Sequence, residues 1–213
     1  MNTGYLTRLR KEQKALEDLS NNSDTWNIVA TSWEKEGANP PAIQYRIRLA
    51  ARSIIGIDKQ DEPIYAFAHQ FRLEIPSTFI EPRDVDPASG DEQGAGPYIY
   101  AETALWHPQV WPNQLVCTGK FWLSNLIADS QLRLLLLIVT YKDYNDDKLS
   151  KRGVAGEMAA EWCQQYRARH PKAFPLDQTD VPPIADLEDE FEQRLNQSGK
   201  RKRLVIGPRP DPN

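Results

Sequence analysis

Sulfur is scarce in this 213-residue chain, which has two cysteines, Cys117 and Cys163, and two methionines. Two cysteines are too few for a disulfide framework, and one falls in a loop and the other in an apparent helix, so no staple is indicated. Histidine is nearly as rare. His69, His107 and His170, taken with the cysteines, show none of the paired spacings of a zinc site, which argues against a metal. Long apolar runs are missing too: the longest, Leu132 to Val139, is interrupted by Arg133 and cannot span a bilayer. The opening MNTGYLTRLRKEQK has no apolar core for a signal peptide, so the expectation is a cytosolic protein with no membrane partner. Basic residues are outnumbered, 26 against 30 acidic, and the net charge of −4 gives no general affinity for nucleic acid. What remains is an ordinary globular composition, 40% hydrophobic and 26% charged, sufficient for one good core plus extensions.

Periodicity orders that material into an α+β chain. Leu6, Leu9, Leu16 and Leu19 recur at helical spacing with Arg8, Arg10, Lys11 and Lys14 between them, an amphipathic first helix with a basic face that Asn21, Asn22 and Ser23 end. Three β-branched and aromatic runs follow, Trp26 to Trp33, Ile43 to Ile57 and Ile64 to Ile75, separated by the turn compositions EKEGANPP and DKQDEP. Short connections between adjacent strands imply an antiparallel meander. RDVDPASGDEQGAGP reads as an exposed loop before a short fourth strand at Tyr98 to Thr103. Further on, Asp129 or Ser130 can cap a helix from Gln131 to Tyr141 whose apolar surface runs nearly all round and so predicts burial. KDYNDDKLSKRG makes a loop, and a second helix, Val154 to Arg169, turns Met158, Trp162 and Tyr166 inward, with Cys163 read as core. From Pro171 the prolines at 171, 175, 182 and 183 indicate an extended linker, then a short acidic helix from Ile184 to Leu195 and a basic, proline-ended tail. The expected division is therefore a body of residues 1–170 and an extension of residues 171–213.

Between the strand-rich and helix-rich halves lies WHPQVWPNQLVCTGKFW, Trp106 to Trp122. Pro108 and Pro112 each fix φ and lack a donor, so the segment is held as an ordered loop that neither coils into a helix nor joins a central strand. Cys117 on such a loop is either presented to solvent or packed under Trp106, Trp111, Phe121 and Trp122, since free cysteine is among the most buried residue types.

HPQVWPNQLVC resembles the active-site signature of ubiquitin-conjugating enzymes, in which a His-Pro-Asn triplet precedes the catalytic cysteine at this same spacing. FRLEIPSTFIEP (Phe71 to Pro82) resembles the strand, proline and turn before their flap, RLRKEQKALEDL (Arg8 to Leu19) their basic first helix, and AGEMAAEWCQQY (Ala155 to Tyr166) a later helix. The match covers roughly residues 3–168, by pattern more than by identity outside the flap, and looks most like divergent bacterial members that work beside an activating enzyme, a ubiquitin-like protein and a JAMM-type metalloprotease. The resemblance implies the conjugating-enzyme fold: an N-terminal helix, a four-stranded antiparallel meander, an active-site flap and C-terminal helices.

It also implies acyl transfer through a cysteine thioester. Cys117 would accept the C-terminal carbonyl of the ubiquitin-like protein from the activating enzyme and pass it to an amine of a target protein. No cofactor is expected on this chain, because ATP is used by the activating enzyme. His107 would brace the flap through hydrogen bonds; a Cys-His hydrolase is the minor alternative. Gln109 stands where the family has the asparagine assigned to the oxyanion or to ordering the flap, and a side-chain amide so placed contributes about 3 kcal/mol. Gln109 by a changed path, Asn113, or backbone amides alone could fill that role. To orient the attacking lysine the resemblance points to the loop Asp143 to Asp147, with Asp146 chosen and Tyr144 beside it. The face bearing Arg8, Lys11 and Lys14 would meet the activating enzyme. A role in bacterial antiviral defence follows from the same resemblance. The other reading is a catalytically silent relative, a binding module for a ubiquitin-like protein.

Overall fold

The computed structural model describes residues 3–35, 40–76, 97–118, 127–142, 144 and 156–203, apart from the side chains of 3, 127–130 and 199–203. The order is α1 (Thr3–Asn21), β1 (Trp26–Trp33), β2 (Ala42–Ile57), β3 (Pro63–Glu74), β4 (Tyr98–Ala101), α2 (Ile127–Val139), α3 (Glu157–Arg169), a 3-10 turn (Ile184–Leu187) and α4 (Glu188–Arg203). The strands form one antiparallel sheet in the order β1-β2-β3-β4, the meander expected from the three strand runs and their short turns. Tyr45 lies across from Ala30 on one side and Leu73 on the other, and Leu73 lies across from Ile99. This row turns one face of the sheet inward.

α1 covers that face. Leu9 and Leu16, both fully buried, pack with Tyr45, Ile47, Leu49, Phe71 and Leu73, and with Leu132, Leu135, Ile138 and Val139 of α2. Each such side chain contributes about 1.5–3 kcal/mol by leaving water. The hydroxyl of Ser20 accepts the Ile28 amide at 2.9 Å and Gln13 Oε1 accepts the Ala42 amide at 3.1 Å, so side chains of α1 also fix where β1 and β2 begin.

The helices depart from expectation in several places. α2 begins at Ile127, which puts Asp129 and Ser130 inside its first turn instead of at the cap, and it ends at Val139, before Tyr141. Its surface is not buried all round, for Leu137 is 37% exposed, because α1 and the sheet cover it from one side only. In α3 the inward stripe is Ala159, Ala160, Trp162, Cys163 and Tyr166, while Met158 is 72% exposed. At about 100° per residue, Met158 sits about a third of a turn from the stripe centred on Ala159 and Cys163. Met158→Ala is therefore expected to change stability by no more than about 0.5 kcal/mol in a urea melt, whereas an inward Met158 would cost several times that.

The residues expected to form an extended linker instead run along the body as irregular chain broken by turns at 171–172 and 179–180. Leu176 is buried with Ile54, Tyr141 and Trp162. Gln178 bonds the main chain of Arg52 through both ends of its amide, at 2.8 and 3.1 Å, and the Ile184 amide reaches the Asp24 carbonyl at 2.8 Å. α4 then lies on β3, with Phe191 fully buried against Ala50 and Ala68. The short helix expected from Ile184 to Leu195 is instead a 3-10 turn followed by an α-helix that continues to Arg203, into residues expected to form the tail; the rest of that tail and the loop expected over 83–97, except Pro97, lie outside the described residues. None of the described helices is long and apolar enough to cross a membrane.

Candidate active site

Segment 102–118 leaves the end of β4, folds back on itself and returns along the same strand. Trp111 to Gln114 make a turn with Pro112 second, closed by the Gln114 amide on the Trp111 carbonyl at 2.8 Å, and Gln114 takes the left-handed conformation (φ 71°) that ends such turns. Leu115 and Val116 then pair with Tyr100 and Val110, and the Val116 amide bonds the Ile99 carbonyl at 2.8 Å. Prolines that exclude a central strand thus produce a hairpin leaning on the edge of the sheet. Cys117 follows at its base.

Cys117 is a free thiol, partly buried, and Thr118 after it is buried. Its backbone is held by one residue. The Cys117 amide donates to the Gln109 carbonyl at 2.7 Å, and Gln109 Nε2 donates to the Cys117 carbonyl at 3.1 Å. One of the three donors left open by the sequence is thereby seen engaged with the cysteine's own main chain; Gln109 Oε1 is buried with no hydrogen-bond partner. Asn113 is exposed at the turn, where its Oδ1 accepts the Leu115 amide at 3.1 Å in an Asx turn.

His107 is 2% exposed and braces the loop from inside. Its Nδ1 accepts the Gln109 amide at 3.0 Å, which places the ring proton on Nε2. Burial pushes its pKa down to about 3, against a smaller upward pull from the Ile138 carbonyl, and the ring is neutral at physiological pH. Nε2 is buried with no well-aligned acceptor. A ring that is neutral, enclosed and already accepting at its basic nitrogen is a brace and not a general base.

The wall around His107 is aromatic. Tyr141 meets it edge-on with centroids 4.4 Å apart, Tyr144 at 6.1 Å, and Phe174 of the extension stacks on Tyr141 at 4.9 Å. Tyr141 holds an uncommon backbone. The Lys142 amide bonds the Leu137 carbonyl at 2.9 Å and the Tyr141 amide the Ile138 carbonyl at 2.8 Å, the paired bonds of a helix terminus whose left-handed residue is ordinarily glycine. Here that residue is Tyr141, at φ 58°. Its ring is buried and its hydroxyl donates to the Trp106 carbonyl, which offsets the strain of about 1–2 kcal/mol. Burial, with Cys163 and Tyr144 nearby, keeps this phenol protonated well above the ordinary range.

α3 closes the site from the other side. The Gly156 amide, at its N-cap, donates to the Pro108 carbonyl at 2.8 Å, and Gly156 sits so close to the loop that a Cβ would lie 2.7 Å from the His107 carbonyl oxygen. Tyr141, Gly156 and Phe174 were not among the residues singled out from sequence. Only Gly156 left a local sign, a glycine just before a helical pattern.

Among the described residues, no group of three or more His, Cys, Asp or Glu could hold a metal. No family model matches the chain, and no curated protein matches it.

The remaining expected site residues are placed unequally. Tyr144 is beside His107, with Arg167 Nη1 at 3.5 Å from its hydroxyl. Asp146 lies outside the described residues. On α1, Arg8 turns back onto the buried carboxylate of Glu12 at 2.6 Å, Lys14 is exposed near Asp18 at 3.8 Å, and Lys11 is exposed. Arg8 thus serves the helix itself, which leaves Lys11 and Lys14 as the outward cations of the three.

Proposed function

We propose that this chain is a ubiquitin-conjugating-like enzyme of the conjugating-enzyme fold that carries a ubiquitin-like protein as a thioester on Cys117. The observation that carries this reading is the hold on the cysteine: a partly exposed thiol at the base of a proline-fixed hairpin, with its amide and carbonyl both bonded by Gln109. The Cys117 thiolate attacks the carbonyl of the thioester on the activating enzyme and expels that enzyme's thiolate. An amine of the target then attacks the new thioester, expels the Cys117 thiolate and loses its proton. Such a carrier needs a positioned thiol and no triad, in keeping with a neutral His107. ATP is consumed by the activating enzyme and no cofactor acts here. The setting proposed is the bacterial cytoplasm, in an antiviral conjugation pathway that also has a JAMM-type protease.

A catalytically silent binding module is the second reading, favoured by one observation: Gln109 spends a side-chain N–H on the Cys117 carbonyl. The two separate on a non-reducing gel. Mixed with activating enzyme, ubiquitin-like protein and ATP, the protein is expected to form an adduct that thiol reductant removes and Cys117→Ala abolishes, while Cys117→Lys gives one that reductant leaves intact. If the activating enzyme charges and this chain does not, the binding module stands.

A further inference from the structure

β4 pairs with β3 only from Phe71 to Glu74, so among the described residues the earlier part of that edge of β3 has no strand beside it. Two side chains of α4, one helical turn apart, take the place of a strand. Glu190 Oε1 accepts the amides of Phe67 and Ala68 at 2.8 and 3.0 Å. Arg194 donates from Nη1 to the Ala68 carbonyl and to His69 Nδ1 at 3.0 Å, and from Nη2 to the Ala104 carbonyl at 2.5 Å. His69 in turn points Nε2 at the carbonyls of Ala51 and Ala66, at 2.9 and 3.2 Å, which fixes the tautomer that can accept from Arg194. Capping an exposed edge would explain the bonds to β3. It does not explain the second arm of the fork.

That arm reaches Ala104, which lies in the root of the cysteine loop. Residues 104–107 are irregular backbone whose polar groups must find partners outside a ladder. Three come from three different elements. Arg194 takes the Ala104 carbonyl, Ile54 of β2 takes the Trp106 amide at 2.9 Å, and the Tyr141 hydroxyl takes the Trp106 carbonyl. His107, Gln109 and Cys117 follow directly. A guanidinium 6% exposed is costly to bury, and only its planar fork can serve β3 and the loop root together.

We propose that Arg194 is a positioning residue for Cys117, so that the C-terminal extension is a working part of the site. This deepens the proposed thioester chemistry and rests on it for its purpose, though the geometry can be tested without any partner protein. Cys163, fully buried, is the internal control.

In the full chain, Arg194→Ala is expected to raise the rate of Cys117 alkylation by iodoacetamide about fivefold through local opening, with Cys163 still protected. Arg194→Lys, which keeps the charge but lacks the fork, should fall between, and millimolar methylguanidine should return Arg194→Ala towards the native rate. In charging assays the same variant should show a lower maximal rate at an unchanged half-saturating concentration of activating enzyme. Cys117 labelling within about twofold of native in both variants overturns the proposal. So does parallel labelling of Cys163 in both, because that reports general loosening. Should the native protein never charge while the alkylation pattern appears as stated, Arg194 keeps its positioning role and the thioester reading falls.

Discussion

Between pH 6.5 and pH 4.5 the protein is expected to lose about 2 kcal/mol of stability through His107, with a slope approaching about 1.4 kcal/mol per pH unit, and a further amount of the same sign through His69. Two buried histidines cause this. In the unfolded chain His69 and His107 take up protons near the ordinary histidine pKa. In the folded chain His107 resists to about 3, chiefly through burial, and His69 is held well below its ordinary value by burial and then by the charge of Arg194. As pH falls through 6.5 the unfolded chain therefore takes up protons at both rings that the folded chain resists, so stability is full from about one unit above that pH and drains as pH falls. Typical domains have only about 5–15 kcal/mol in total, so acid should unfold this one early. Urea melts at pH 7, 6 and 5 measure it. A midpoint that stays level over that range would show that both rings protonate in place. Any loss of the proposed charging activity in mild acid is accordingly expected to track unfolding, and the two should be measured on the same samples.

Legibility from sequence followed how local the physics was. The strand Trp26–Trp33 could be bounded to the residue because its β-branched and aromatic run ends in polar turn residues on both sides, and the meander followed from short connections. Cys163 could be read as core because it shares a helical face with Trp162 and Tyr166. Met158 could not be placed by the same rule, since its neighbours on α3 say nothing of where the covering aromatic cluster stops. Tyr141 was invisible for a different reason: a tyrosine in the left-handed region is tolerated only because Trp106, 35 residues earlier, offers its carbonyl. Arg194 is the extreme case. In the sequence it is one cation in an acidic helix, and its burial depends on the part of the β3 edge that β4 leaves uncovered, some 125 residues away. Around Cys117, the cysteine, histidine and glutamine were marked by the resemblance of HPQVWPNQLVC to the conjugating-enzyme signature, but the groups that fix the loop come from the turn after α2, from α3 and from the extension.

Gly156→Ala is expected to destabilise the protein by about 1–3 kcal/mol and to slow any reaction of the loop that needs Cys117 in place. The added Cβ would stand 2.7 Å from the His107 carbonyl oxygen and 3.2 Å from that of Val110. Both are backbone atoms of a loop pinned by Gln109, Tyr141 and Arg194, so neither can swing aside as a flexible side chain could. α3 must move outward instead, stretching the 2.8 Å bond from the Gly156 amide to the Pro108 carbonyl. Backbone preference is not the cause, because φ at Gly156 is −116°, which alanine adopts freely. Helix capping is a separable cause, since Gly156 is the N-cap of α3 and alanine caps poorly. Gly156→Ser divides the two. Serine carries the same Cβ but caps well, so steric contact predicts that it is as damaging as alanine, and capping predicts recovery. Thermal melts of both variants, read with Cys117 alkylation rates, decide it: a serine variant that matches the native protein in both would show that α3 does not hold the cysteine loop by close approach.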